Sequence, residues 1–394
     1  NNFWLLCDYP LYQDPKILYL TGLNQEKVAI IFNPFSHKVC LALPNYDSNK
    51  VFWEGHFLGF EKSKIDTIKS LFKYDDVIEY STLQDYLYNS INDSNSQFIA
   101  TCWHEDNKKQ ISLHDIQYEF KTKLESFKKL SDVASSILNY SHLLDQRLIL
   151  DNIDINNAKI ANDYAKLAFH SCCKQIKSCS TETEVAGILK GEIYKRCPLG
   201  QSFPAIVANE KNATILHYKK NDSHFANDGL LLLDFGCRVQ NVVSDISRTI
   251  PTNGQFNPLQ KILYSIVLNA QKQVELIIKE GVCIDELNEI CWNSIEKDLN
   301  TQVIENKGKV SQPYIKQPHN VSHLIGHSVH DGDPFRLYRT EPLKQGMIIS
   351  NEPGLYGYFE LEIDGTLYKE HCGIRIEDNL LVLKDCIMML TVTH

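Results

Sequence analysis

Nothing in the sequence is apolar enough for long enough to cross a membrane as a helix. The densest run, Gly229-Leu230-Leu231-Leu232-Leu233, stops at Asp234, far short of the roughly 18 residues a span requires. Basic charge is not in excess either: 40 Lys and Arg stand against 49 Asp and Glu, a net charge of −9. That excludes a nucleic-acid binder relying on general phosphate neutralisation. The 12 cysteines are scattered and form no CxxC pair, so reduced, mostly buried thiols are expected rather than a disulfide framework. With no signal-peptide core at the start of the chain, a cytoplasmic location follows as the expectation. HExxH, GxSxG, GxGxxG and Walker A patterns are absent, as are internal repeats and low-complexity tracts.

What is present is an ordinary globular composition, 43% hydrophobic and 23% charged, in a chain of 394 residues. That length exceeds what one core usually organises, so two domains are expected. The first part, residues 1–120, reads as a small α/β domain. Strands are expected at Lys16 to Tyr19, Val28 to Phe32, Val39 to Leu43 and Phe98 to Trp103, with helical spacing at Ser63 to Phe72 and Leu83 to Ile91. A Lys- and Ser-rich stretch, Glu119 to Asn139, marks a helical linker over 121–146. From 147 to 394 the pattern changes. An amphipathic helix is expected from Asp154 to Cys173, with Ile155, Ile160, Tyr164, Leu167 and Ala168 near one face. A second, Thr183 to Arg196, is led by Thr181 with Glu184 completing a capping box. Strands at 205–207, 230–235 and 246–250 precede helices near Pro258 to Lys279 and Asp285 to Leu299, and the remainder is strand-like.

The residues able to do chemistry are acids and histidines in this second part. Asp234 ends a fully apolar strand, and Asp245 lies eleven residues on, so a hairpin through Gly236 to Ser244 sets the two carboxylates side by side. Alone, either is an acid in a turn; buried, each needs a cation or hydrogen bonds. Between His319 and His330 lie four of the 14 histidines, His319, His323, His327 and His330, interleaved with Val, Leu, Ile and Gly. Such imidazoles suit a partly buried metal site. Glu352 terminates Ile348-Ile349-Ser350-Asn351 at a Pro-Gly turn. In Gly373-Ile374-Arg375-Ile376-Glu377, Arg375 and Glu377 share the face opposite Ile374 and Ile376.

Four carboxylates at one place repel by roughly 4 kcal/mol per pair at about 4 Å and an effective dielectric near 20. Two divalent cations would balance them, and water held by such ions loses a proton near neutral pH to become a hydrolytic nucleophile. Oxygen-rich ligation with one imidazole from His323 suits Mn²⁺, Co²⁺ or Zn²⁺.

At these residues the sequence resembles the pita-bread metallopeptidases, the family of methionine aminopeptidase, prolidase, aminopeptidase P and creatinase. The words that match are Leu233-Asp234-Phe235-Gly236, Ser244-Asp245-Ile246-Ser247-Arg248-Thr249, Ser322-His323, Val329-His330-Asp331, Asn351-Glu352-Pro353-Gly354-Leu355-Tyr356 and Gly373-Ile374-Arg375-Ile376-Glu377-Asp378. The resemblance implies an α+β chain, with a pita-bread catalytic domain (a curved antiparallel sheet covered by helices) behind a smaller N-terminal α/β domain. It implies the metal ligands Asp234, Asp245, His323, Glu352 and Glu377 around two divalent ions, Mn²⁺ first and Zn²⁺ or Co²⁺ as alternatives. Within the family the proline-directed branch is the nearest match. Ile17-Leu18-Tyr19-Leu20-Thr21-Gly22 and Phe52-Trp53-Glu54-Gly55 resemble the N-terminal domain of aminopeptidase P. By the same resemblance His217, in Ile215-Leu216-His217-Tyr218, lies beside the substrate, His330 beside the scissile peptide and His319 in the proline pocket. Arg375 pairs with acids of the site, and Glu352 shuttles a proton. The chain departs from the pattern at Val239 and Val242, where tyrosines are common, at Asn320 in place of glycine, and at Leu150 in place of lysine; none is a ligand position. His327 has no assigned role and reads as a packing histidine.

The implied activity is hydrolysis of the N-terminal Xaa-Pro bond of peptides with proline at position two. No nucleic-acid or membrane partner is expected, and a homodimer is. The alternatives are a prolidase confined to Xaa-Pro dipeptides, a peptide-binding pita-bread module that has lost catalysis, and creatinase-type chemistry.

Overall fold

The computed structural model describes residues 15–33, 36–83, 85, 86, 89, 146–225, 228–311, 314–332 and 339–391. The strand expected at Phe98 to Trp103, most of the helix at Leu83 to Ile91 and nearly all of the 121–146 linker lie outside them. The chain divides into two compact units, Asn1–Leu143 and Leu144–His394.

In the first unit β1 (Ala29–Asn33), β2 (Lys38–Leu43) and β3 (Asp76–Glu79) form a sheet in that order, antiparallel between β1 and β2 and parallel between β2 and β3. Helix α2 (Ser48–Glu54) is capped by Asp47, whose side chain accepts from the backbone N–H of Asn49 and Lys50. Helix α3 (Ile65–Phe72) sends Ile68 into a core of Val28, Leu41, Leu43 and Val77. The strand expected at Lys16 to Tyr19 is instead a helix, α1 (Pro15–Thr21). Proline suits a first helical position because its missing N–H would have no partner there. Leu18 and Thr21, three apart, are the buried pair, and the Thr21 hydroxyl donates to the Ile17 carbonyl. Over so few residues, helical and strand spacing are indistinguishable in an apolar run.

In the second unit every strand pairing among the described residues is antiparallel. Helices α4 (Asn152–Cys173) and α5 (Glu182–Tyr194) cover β4 (Ile206–Asn209) and β5 (Leu230–Phe235), and all four contribute to one core. The expected capping box of Thr181 and Glu184 is present. The buried face of α4 is a stripe of Ala158, Ala161, Ala165, Ala168 and Cys172 with Phe169, while Leu167 of the expected face is exposed. Small side chains at a helix–sheet contact let the backbone approach closely, so volume rather than hydrophobicity chose the face.

Helices α6 (Pro258–Glu275) and α7 (Ile284–Leu299) share a second, larger core with β12 (Gly354–Ile363) and β13 (Thr366–Arg375), which pair along their whole length. Helix α6 starts at Asn257, which forms a capping box with Gln260 and has Pro258 as its first helical residue. The short hairpin β6 (Arg238–Val239) and β7 (Val242–Val243) joins β5 to β8 (Ile246–Pro251). A further sheet runs β10 (Leu324–Ile325), β11 (Ile348–Asn351), β14 (Asp378–Val382) and β15 (Ile387–Met389), while β9 (Lys309–Ser311) flanks β12. The ten described cysteines are free, and no described helix is long and apolar enough to cross a membrane.

Candidate active site

Strand β5 is buried along its length between β4 and β8. Asp234 is its only ionisable residue, directly across from Ser247. The hairpin expected between Asp234 and Asp245 forms, and Gly236 is what lets it turn so tightly. A Cβ there would collide with the Ser244 carbonyl and the Ser202 hydroxyl. The backbone of Asp245 is gripped from both sides by Asn379: its N–H donates to Asn379 Oδ1 at 2.9 Å, and Asn379 Nδ2 donates to its carbonyl at 2.5 Å.

The other three residues arrive from the sheet containing β11. His323 immediately precedes β10 and Glu352 immediately follows β11. Ser350 N–H donates to the His323 carbonyl, Glu352 N–H to that of Val321, and Glu377 N–H to that of Ser247. From His323 Nε2, the distances are 3.3 Å to Glu352 Oε1, 3.6 Å to Asp245 Oδ2 and 3.8 Å to Glu377 Oε1. The structure thus brings together all five residues named from the sequence, each at or beside the end of a paired strand.

Their electrostatics fit cations. Burial, then the charges of Glu377, Asp234 and Glu352, push the Asp245 carboxyl well above the usual carboxylate range. Burial does the same for Glu377, reinforced by Glu352 and Asp234, and lifts Glu352 to about 8. Asp234 Oδ1, Asp245 Oδ1 and Glu377 Oε1 are buried and meet no hydrogen-bond donor. Unpaired buried oxygens of this kind are costly, and cation coordination relieves them. Burial lowers the His323 pKa to about 3, keeping the ring neutral. Its Nδ1 lies 3.2 Å from the Leu324 carbonyl, which accepts the ring proton and leaves the Nε2 lone pair facing the carboxylates, as a metal ligand requires. Asp234, Asp245 and Glu377 can each place an oxygen within 4.8 Å of the others', and His323, Glu352 and Glu377 can do the same with their ligand atoms. Glu377 belongs to both of these triads. A third triad, Asp245, His323 and His330, brings His330 within ligating reach, which the sequence had placed only on the substrate side.

Arg375 spans the cluster: it donates to Asp234 Oδ2 at 2.6 Å, to the Ser247 hydroxyl at 2.9 Å and to the Tyr356 hydroxyl at 3.2 Å. Ser247 in turn donates to Glu377 Oε2 at 2.8 Å. His319 Nδ1 donates to the Asn320 carbonyl at 2.8 Å, so its Nε2 accepts from the Tyr356 hydroxyl at 3.0 Å. Trp292 of α7 packs edge-on against His319, with ring centroids 5.4 Å apart. The rings of His323 and His330 lie 4.3 Å apart, and those of His217 and His330 6.5 Å. All these groups line one cavity of about 1020 Å³, apart from Ser247 and Tyr356, which stand just behind its wall. The loop carrying His330 is held by Asp331. That carboxylate accepts from the backbone N–H of His327, Ser328 and Gly332 and is ion-paired with buried Arg147.

Ser247, Tyr356, Trp292, Asn379 and the Arg147–Asp331 pair were not singled out from the sequence. Tyr356 lies two positions beyond Gly354 on β12 and four beyond Glu352, inside a recognised motif. Trp292 had no signal, because a core-facing aromatic on a helix reads as packing. His327 is 2% exposed, with Nε2 3.6 Å from Asp154 Oδ2, and lines no part of the cavity.

The family model for metallopeptidase family M24 matches residues 156–384. The chain belongs to metallopeptidase family M24. The model for the N-terminal domain of aminopeptidase P matches residues 6–99, so this M24 chain carries the two-part organisation of that branch, a mixed-sheet N-terminal unit followed in sequence by an antiparallel pita-bread unit. Among curated relatives, intermediate cleaving peptidase 55, mitochondrial, of Arabidopsis thaliana is 26% identical over 389 residues, covering 97% of this chain and 73% of the relative. The Xaa-Pro aminopeptidase of Haemophilus influenzae is 26% identical, covering 95% and 84%. The fold matches that of zinc-substituted Escherichia coli aminopeptidase P in complex with product, at a TM-score of 0.77, 23% identity and coverage of 98% of this chain and 87% of that one.

Proposed function

We infer that this M24 chain is a metal-dependent aminopeptidase that hydrolyses the bond between an N-terminal residue and proline. The observation that carries the reading is the junction of the five-residue ligand cluster with an imidazole-and-aromatic wall in one cavity. An Xaa-Pro bond is a tertiary amide with no N–H and a fixed φ, so it must be recognised by ring shape rather than by backbone donors. His319, flanked by Trp292 and backed by the Tyr356 hydroxyl, offers a rigid, weakly polar face for that ring.

Asp234, Asp245, His323, Glu352 and Glu377 would hold two divalent ions, whose chemistry is to polarise a carbonyl and make bound water acidic. Glu352 sits where it can take a proton from water and pass it to the leaving imino nitrogen. His330, whose pKa is lowered by desolvation within the site, and His217 would donate N–H bonds to the peptide oxygen as negative charge develops on it. Asp234 would accept the substrate's free amine, and Arg375 would keep its carboxylate oriented. The same cavity is also lined by Asp285, Asn288 and Asn293, polar groups that could meet a chain beyond proline. That favours an aminopeptidase over an enzyme confined to dipeptides.

Mn²⁺ is the proposed metal, from the oxygen-rich donor set with one imidazole. The free thiols suit a reducing compartment, the cytoplasm in this reading. A homodimer is part of the same proposal and is checked by sedimentation. The deciding experiment assays Xaa-Pro, Xaa-Pro-Pro and longer peptides with Mn²⁺, Co²⁺ or Zn²⁺ returned to chelated protein. Turnover of the longer peptides with Mn²⁺ is expected; cleavage of the dipeptide alone would make the protein a prolidase, and no cleavage with any ion would refute the reading.

A further inference from the structure

The first residue of α5, Glu182, is fully buried yet has no cationic partner within ion-pair distance among the described residues. Instead, its carboxylate is saturated by one loop. Oε1 accepts from Asn209 N at 2.8 Å, Asn209 Nδ2 at 2.7 Å and Asn212 Nδ2 at 3.0 Å. Oε2 accepts from the Tyr218 hydroxyl at 2.9 Å and Ser223 N at 3.0 Å. Five such donors replace the hydrogen bonds the carboxylate would make to water, and they sit at a helix N-terminus. The donors span residues 209–223, from the last residue of β4 into the β4–β5 connection, and the middle of that connection carries His217. The same helix start grips the loop again: Thr183 donates to the Asn221 carbonyl at 2.7 Å, and Glu182 N–H to the Ser223 carbonyl at 2.9 Å. On its far side the loop lies so close to β13 that a Cβ at Gly373 would strike the Ala213 carbonyl.

His217 itself has no such fixing. It is exposed and lines the cavity, its ring makes no hydrogen bond or ion pair among the described residues, and its centroid lies 6.5 Å from that of His330. Its neighbour Tyr218 is buried and bonded to Glu182. Where the imidazole lies is therefore decided by the backbone of a loop with no ladder of its own. We propose that Glu182, which does not itself line the cavity, is a positioning residue that sets His217 against the substrate. This inference rests on His217 acting on the peptide, as under the proposed function.

The test is a double-mutant cycle on the metal-loaded protein with an Xaa-Pro-Pro peptide, with metal stoichiometry and Tm read on every variant. Glu182→Gln keeps the shape but puts an amide N–H₂ among donors. Tyr218→Phe keeps the ring in its apolar cluster and removes the hydroxyl, which donates to Glu182 and also meets Asn212, Asp222 and Ser223 within the same loop, and it serves if Glu182→Gln fails to fold. Either is expected to lower kcat/KM, Glu182→Gln by about tenfold, with the metal count unchanged. In the His217→Ala background each should cost less than twofold, because the group being positioned is gone. A merely structural anchor would lower Tm equally in both backgrounds while its rate effects multiplied, and that result overturns the proposal. If His217→Ala alone turns over at the wild-type rate, the role given to His217 falls and the proposal falls with it. If wild-type protein cleaves the peptide and His217→Ala is slow while neither anchor variant affects the rate, only the positioning role is refuted.

Discussion

The two sides of the cavity are built on different principles. On the ligand side, Asp234, Asp245, His323, Glu352 and Glu377 stand at the ends of strands whose backbones are hydrogen-bonded to one another. On the substrate side, His217 and His330 stand on connections without continuous ladders, held by buried side chains: Glu182 for one, Asp331 with Arg147 for the other. A sheet ladder fixes the separation of ligand atoms to within a bond or two, as ions demand. Loops pinned at a few points can change sequence while keeping one imidazole in place, which suits a wall that selects among peptides. The difference teaches that ligand-side variants should remove metal, turnover or both, whereas substrate-side variants should slow turnover with metal retained.

The largest expected effect is at the proton-handling ligand. Glu352→Gln should lower kcat by roughly 10²–10⁴-fold with the fold retained by circular dichroism; keeping more than a tenth of the activity would remove Glu352 from that role. Next, His330→Ala should lower kcat/KM by about 10²–10³-fold with the metal count unchanged. A lost ion would instead move His330 to the ligand side, consistent with its triad with Asp245 and His323.

Metal removal sharpens the comparison through pH. In chelated protein the folded pKa of Glu352 is raised from 4.5 to about 8, and Asp245 and Glu377 shift in the same direction. Between those values the native state holds protons that the unfolded chain has released, so stability of the chelated protein should fall as pH rises from about 4.5 to 8. Mn²⁺ at 100 times its Kd should restore about 2.7 kcal/mol and release protons on binding. Melting curves across pH with and without the ion check this, and a chelated protein equally stable at pH 5 and 8 would contradict it. The smallest effect serves as a control far from both sides: Asn257→Ala, which removes the α6 cap, should cost about 1 kcal/mol with kcat unchanged.

The candidate ligands stood out in the sequence because the acids end or adjoin apolar runs and His323 falls in a histidine cluster, and a charge ending an apolar run has few bland explanations. Asp234 after four leucines is the clearest instance. The supports were harder to see. Glu182 looks like any acid in a first helical turn, since its value lies in donors 27 to 41 residues away. Asn379 and Ser247 act on backbone and carboxylate atoms through pairings that only the folded sheet defines. The helix at Pro15–Thr21 and the alanine face of α4 were misread for a related reason: in short or alanine-rich segments, which side is buried depends on the neighbour's shape.

The account's central claim, that two aspartates, one histidine and two glutamates form a dinuclear centre, is tested most directly by titrating chelated protein with Mn²⁺ in a calorimeter. The predicted result is two ions per chain for the wild type, with Glu377→Ala, which removes a carboxylate common to two of the three triads, losing at least one. One ion or none in the wild type, or two retained by Glu377→Ala, would contradict it.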